Sequence, residues 1–194
     1  VARVGLRLLS VGRTSLLGTC SEGLGPGSVP DGGSHSSDLS SWETDSEAEM
    51  IELKFEAPLP VGSCYVELAF AGKLSEKLEG FYRASYRNGR HMATTHFEPT
   101  DARRAFPCFD EPAFRAEFNI SLTFAEERSC VSNMPVESNT EDGLGNRTVA
   151  FTKSPPMPTY LVAFVVGDFE RCETRTRNGV LVEVLTPPGQ LSLG

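Results

Sequence analysis

The sequence predicts an all-β protein, and three observations carry this prediction. Apolar side chains recur at every second residue in many short runs, as at Ile51, Leu53 and Phe55, which is typical of half-buried strands. Turn-forming dipeptides separate several of these runs, at residues 88–89, 142–143 and 178–179. Only residues 100–106 have the pattern of a helical turn. We therefore expect an antiparallel sandwich or a saddle-shaped sheet.

The strands are expected after a leader of different composition. Residues 18–41 are rich in Gly, Ser and Pro and residues 40–49 are acidic, so a segment covering 1–48 has little to bury and is expected to be disordered. A β domain is expected over 49–188, with 189–194 as a truncated tail. Its predicted strands are Ile51–Phe55, Cys64–Phe70, Phe81–Tyr86, Met92–Phe97, Phe118–Phe124, Cys130–Asn133, Thr148–Thr152, Tyr160–Val166 and Val180–Leu185.

Two of these elements have a more specific expectation. The run Tyr160–Val166 is apolar on both faces, so it is expected to be a central strand that is covered on both sides. The helical turn is expected to begin with Thr100 as its N-cap and to end at Pro107. The core candidates near this turn are Phe106, Phe109 and Phe118.

Charge and cysteine usage exclude some functions. The formal net charge of −8 argues against a nucleic-acid partner, which would require clustered Lys and Arg. The longest apolar run has the length of a strand, so no membrane-spanning segment is expected. Five scattered cysteines without CxxC spacing favour reduced thiols and a cytoplasmic location. The sequons at Asn119 and Asn146 point to the secretory route, but the first falls inside a predicted strand, so the cytoplasmic location is kept as the expectation.

Motifs for catalysis are missing from the sequence. It contains no HExxH, GxSxG, P-loop or GxGxxG pattern. His91 and His96 are five residues apart on a predicted strand, which places them on opposite faces and prevents a shared metal ion. We therefore expect no catalytic residue, no metal site and no cofactor in this chain.

The segment Thr95–Pro112 is the most informative part of the chain. Glu98 lies where a predicted strand ends, and Pro99 restrains it to an extended conformation, so its carboxylate could receive a cation. The alternative is a surface ion pair of Glu98 with Arg103 or Arg104. Other side chains are expected to stabilise the turn: Asp101, Arg103, Asp110 and Glu111 through hydrogen bonds and ion pairs, and Cys108 as a buried, inert thiol.

This segment resembles the end of the N-terminal domain of the aminopeptidase N family, especially its puromycin-sensitive branch. Three further blocks match in the same order, at 73–83, 131–135 and 157–169. The resemblance implies a zinc exopeptidase that removes N-terminal residues from peptides. In that family the zinc and a GAMEN loop belong to a thermolysin-like domain that follows the β domain, and this sequence contains neither motif. The β domain of that family has additional strands before the region matching Met50, which we expect to be missing here.

The resemblance also implies a role for two residues. Glu98 matches the family's acidic residue that binds the free α-amine of the substrate, and His96 stands where the family usually has a Gln that shapes the pocket for the first side chain. The favoured hypothesis is a piece of a zinc metallo-aminopeptidase that lacks its catalytic domain and is inactive alone. The alternative is a non-catalytic module that binds peptide N-termini or a full-length aminopeptidase.

Overall fold

The computed structural model describes residues 6–10, 18–22, 36–58, 64–86 and 89–193. The chain divides into two compact units, Val1–Lys73 and Leu74–Gly194. Within the described residues all regular structure is β-strand apart from three 3-10 helical turns, at Ala102–Arg104, Thr159–Leu161 and Leu191–Leu193. The all-β prediction is therefore confirmed.

The first unit contains a five-stranded sheet. Its strands are β1 (Leu6–Ser10), β2 (Gly18–Glu22), β3 (Ser36–Asp45), β4 (Met50–Phe55) and β5 (Cys64–Phe70), in the spatial order β1-β5-β2-β3-β4. Strand β1 runs parallel to β5, whereas the other pairs in this sheet are antiparallel. Val66 and Leu68 of β5 are buried, and Leu53 and Phe55 of β4 pack against them, as the period-two pattern predicts.

The leader differs from its expectation. Three strands, β1 to β3, lie within residues 1–48, where disorder and no strand were expected, while residues 1–5, 11–17 and 23–35 lie outside the described residues. In the hairpin of β3 and β4, Trp42 is opposite Leu53. The Asp45 carboxylate accepts hydrogen bonds from the N–H groups of Glu47 and Ala48, each 2.9 Å long, which fixes the turn. Strand β3 is polar and exposed, so it depends on pairing that its composition does not reveal.

The second unit contains three further sheets. The four-stranded sheet has the order β6-β7-β12-β9, from β6 (Gly80–Tyr86), β7 (Arg90–His96), β9 (Ser129–Ser132) and β12 (Phe164–Gly167). A three-stranded sheet joins β10 (Val136–Glu141), β11 (Asn146–Phe151) and β8 (Ser121–Ala125), and β13 (Glu170–Arg175) forms a hairpin with β14 (Leu181–Thr186). Strands β10 and β13 were not predicted, because every residue of β10 is exposed and all but Val136 are polar, and most residues of β13 are exposed and polar.

The predicted strand Tyr160–Val166 is shorter than expected. Residues Thr159–Leu161 form a 3-10 turn, and β12 begins at Phe164. The strand is central, between β7 and β9, as predicted. Its preceding turn is not covered on both sides, since Leu161 remains 48% exposed. The apolar run Tyr160–Val166 therefore corresponds to the end of a 3-10 turn followed by a short central strand, and not to one long strand.

Candidate functional site

The segment that follows β7 is anchored by Phe97. This side chain is 2% exposed, and its ring meets the rings of Phe106 and Phe164 edge-on, at centroid distances of 5.8 and 6.0 Å. The N–H of Asp101 donates a 2.8 Å hydrogen bond to the carbonyl of Phe97, which closes a tight turn over residues 98–100. The first exposed residues of this turn are thereby held to the aromatic core.

Glu98 occupies the first position of this turn. Its side chain is exposed, and it makes no hydrogen bond or ion pair within the described part of the chain. The Glu98–Pro99 peptide bond is cis. The alternative of an ion pair with Arg103 or Arg104 is not observed, because these two guanidinium groups bind Asp110 and Asp101 instead. A carboxylate thus projects from a fixed turn toward solvent.

Asp110 connects this turn to a distant part of the chain. Its carboxylate accepts hydrogen bonds from the backbone N–H and the Nε of Arg103, both 3.1 Å, and from the hydroxyl of Thr159. Nη2 of Arg103 also donates a 3.0 Å bond to the carbonyl of Asp110. The side chain of Asp110 is only 5% exposed. The expectation that Arg103 and Asp110 tie the turn is confirmed, whereas the role of Thr159 could not be inferred from a separation of 49 residues.

The 3-10 turn Ala102–Arg104 has a second contact with the sheet. Arg104 pairs with Asp101 at 2.6 Å, and the N-cap is Asp101 without a side-chain capping bond, so the predicted capping by Thr100 is wrong. Gly80 of β6 has a φ of 68°, and a Cβ atom there would lie 3.0 Å from Cβ of Arg104. A glycine is required at this position by both its backbone conformation and this close approach.

The neighbouring loop contains one half-buried thiol, Cys108, where a buried one was expected, and two exposed aromatic rings. Burial first, and then the negative charge of Asp110, raise the pKa of Cys108 to about 12, so the thiol stays protonated as expected. Phe106 is buried, but Phe109 is 64% exposed and is not a core residue. Its ring lies 5.9 Å from that of Phe114, itself 59% exposed, so these two side chains shield mainly one another.

His96 ends strand β7, two residues before Glu98. Its side chain is exposed, and its Nδ1 lies 3.3 Å from the carbonyl oxygen of Leu78. His91 contacts a different group, with its Nδ1 3.0 Å from Oγ of Ser85 on β6. His96 and Glu98 therefore lie at the same end of β7, whereas His91 lies near the other end of this strand.

The described residues do not fit a catalytic metal. Among them no group of three or more His, Cys, Asp or Glu side chains could hold a metal ion. His91 and His96 contact separate polar partners, the hydroxyl of Ser85 and the carbonyl oxygen of Leu78. No helix in this part of the structure has the length and apolar character of a bilayer-spanning helix. Cys108, Cys130 and Cys172 are free thiols.

The described part of the chain is all-β, and its strand β7 ends two residues before the exposed carboxylate of Glu98. Residues 28–161 match the Peptidase M1 N-terminal domain. The chain belongs to this family. The resemblance to aminopeptidases is confirmed.

Three relatives illustrate this membership. Aminopeptidase M1-A of rice (Oryza sativa subsp. japonica) is 45% identical over 151 residues, which is 76% of this chain and 17% of the relative. The puromycin-sensitive aminopeptidase of Caenorhabditis elegans is 39% identical over 77% of this chain and 16% of its own length. Human endoplasmic reticulum aminopeptidase 1 is 42% identical over 74% of this chain and 16% of its own length. The chain thus spans about one sixth of the length of these relatives.

Proposed function

We propose that this chain supplies the surface that recognises a peptide N-terminus in a zinc metallo-aminopeptidase. One observation carries the proposal: the Glu98 carboxylate is exposed at the end of β7 and has no partner within the described residues. Membership of the Peptidase M1 N-terminal domain family supports the peptidase context. In this proposal hydrolysis belongs to a thermolysin-like domain that holds the zinc and is not contained in this sequence.

The chemistry of an α-ammonium explains why a carboxylate is suited to this task. An ammonium offers three N–H donors and a full positive charge, and a carboxylate accepts charge-assisted hydrogen bonds from it. An internal peptide nitrogen carries neither the charge nor the three donors. A positioned Glu98 therefore selects the end of a peptide over its internal bonds.

The turn makes this selection possible because it restricts the carboxylate. Phe97 is fixed in the aromatic core, and Asp110 holds the following 3-10 turn through Arg103. Both sides of Glu98 are thus attached to buried groups, while Glu98 itself stays in contact with solvent. A group that is preorganised in this way loses little conformational entropy when a ligand binds.

His96 is the second proposed contact. Its exposed ring lies at the end of the same strand, where it can contact the first residue of a bound peptide. The apolar side chain of Leu78, which is 67% exposed, belongs to the loop that His96 touches. We propose that these two groups contribute to the wall that surrounds the first side chain.

A titration of the purified chain with short peptides tests the proposal. An exposed ion pair contributes about 0.5–1 kcal/mol, so Glu98→Gln is expected to weaken the binding of a peptide such as Leu-Gly-Gly by about two- to fivefold. N-acetylation of the peptide should weaken binding to the wild-type chain similarly and should have no further effect on the variant. Glu111→Gln is a matched control, because Glu111 is an exposed carboxylate in the same segment.

Equal affinity of the free and the acetylated peptide for the wild-type chain would contradict ammonium recognition. Zinc content and aminopeptidase activity of the same preparation test whether hydrolysis belongs to a separate domain. We expect no stoichiometric zinc and no release of N-terminal residues. Zinc-dependent release by this chain alone would show that the catalytic group lies within it. The alternative hypothesis is a free-standing binding module. It would be favoured if the chain binds peptides and its native source contains no aminopeptidase that includes this domain.

A further inference from the structure

The contact between His96 and Leu78 fixes the hydrogen position on the imidazole ring. Nδ1 of His96 lies 3.3 Å from the carbonyl oxygen of Leu78. A carbonyl oxygen can only accept, so Nδ1 must carry the hydrogen and donate it. In the neutral ring, Nε2 then has a free lone pair and acts as an acceptor.

His96 and Glu98 flank the buried Phe97, and both face solvent. Phe97 between them is 2% exposed, whereas His96 and Glu98 are both exposed. Residues two apart in an extended segment share one side, with Cα atoms about 7 Å from each other. Side chains of these lengths can reach one ligand group between them.

We propose that His96 makes amine recognition at Glu98 dependent on pH. In the neutral ring, Nε2 accepts a hydrogen bond from the same ligand ammonium that Glu98 binds. In the protonated ring both nitrogens are donors, so the ring repels the ammonium and competes with it for the Glu98 carboxylate. This inference rests on the proposed function. It states that the charge of His96 sets the affinity of the Glu98 site for an amine.

The charged side chains of the elements around His96 are balanced by neighbours of opposite charge. The adjacent loop contributes Lys77 and Glu79, which have opposite charges. Gly80, directly opposite His96 in the sheet, approaches Arg104, whose charge is paired with that of Asp101. Glu76 of the same loop is paired with Arg83. Glu98 therefore remains the nearest carboxylate on the segment of His96 itself.

Binding measurements at several pH values test this inference. The probe is isoamylamine, because an alkylamine stays charged between pH 5 and 8, whereas histidine side chains change charge in that range. We expect the affinity of the wild-type chain to fall at least about fivefold from pH 7.5 to pH 5, which is the effect of one unit charge at about 4 Å in a water-like dielectric. His96→Gln should bind at pH 7.5 and should lose this pH dependence.

A second readout is independent of any ligand. Long-range 1H–15N NMR spectra of the chain at pH 8 should show a protonated Nδ1 and an unprotonated Nε2 for His96. The opposite tautomer, or an identical pH profile for the wild type and His96→Gln, would overturn the inference while ammonium binding at Glu98 stands. Unchanged binding by Glu98→Gln would instead overturn the proposed function, and the role of His96 with it.

Discussion

Replacing Asp110 by Asn is expected to destabilise the second unit strongly. The carboxylate is 5% exposed and pairs with the 25% exposed side chain of Arg103, so the substitution removes the negative charge from a largely buried ion pair. Breaking such a pair costs about 3–5 kcal/mol. The Asn side chain keeps one acceptor, for Arg103 or for Thr159 but not for both, so we expect a loss near the lower end, about 3 kcal/mol.

Urea denaturation measures this loss. With a slope of about 2 kcal/mol per molar urea, the midpoint should fall by about 1.5 M. Glu76→Ala is the control, because it removes an exposed ion pair with Arg83 and should change the free energy of unfolding by less than about 1 kcal/mol. A midpoint for Asp110→Asn within the range of this control would refute the account of how the turn is held.

Four further predictions concern groups around the site and the adjoining sheet. Gly80→Ala should lower the free energy of unfolding by about 1–2 kcal/mol, because a Cβ there would need a positive φ and would press on Arg104, and urea denaturation checks this. Iodoacetamide at pH 8.5 should alkylate the exposed Cys172 and spare Cys108 in the folded chain; labelling of both at equal rates would contradict the burial that raises the pKa of Cys108 to about 12. The same raised pKa means that the unfolded chain loses this proton first, so stability should decline as pH rises above about 9, and Cys108→Ala should remove that part of the decline. Hydrogen bonds from Asn146 and from the N–H of Leu144 lower the pKa of Asp142, so its contribution is present above the ordinary carboxyl range and is lost as pH falls; faster amide exchange in the β10–β11 hairpin of Asp142→Ala would show it, and unchanged exchange would refute it.

The strands with one buried face could be predicted from the sequence. Period-two alternation identified β4 to β7, among which β6 and β7 pair with each other and β5 buries Val66 and Leu68. The polar strands β3 and β10 were not found, because they are exposed and depend on backbone pairing with β4 and β11. Pairing of this kind leaves no periodic signal in the apolar residues.

The residues of the proposed site were chosen from the sequence, whereas the contacts that hold their turn in place could not be predicted from it. The buried Phe97 between two polar residues marks the end of a strand, and the resemblance drew attention to Glu98 and His96. The hydrogen bond from Thr159 to Asp110 joins residues that are 49 positions apart, and no local pattern indicates it. Phe109 was assigned to the core from its residue type alone, whereas its exposure depends on the path of the loop.

The most direct test of the central claim is the 13C chemical shift of the Glu98 side-chain carboxyl during a titration with Leu-Gly-Gly. The account predicts that this signal moves with the peptide concentration, that the acetylated peptide leaves it in place, and that the carboxyl of Glu111 responds to neither. A Glu98 carboxyl signal that stays constant while other residues report binding would contradict the account.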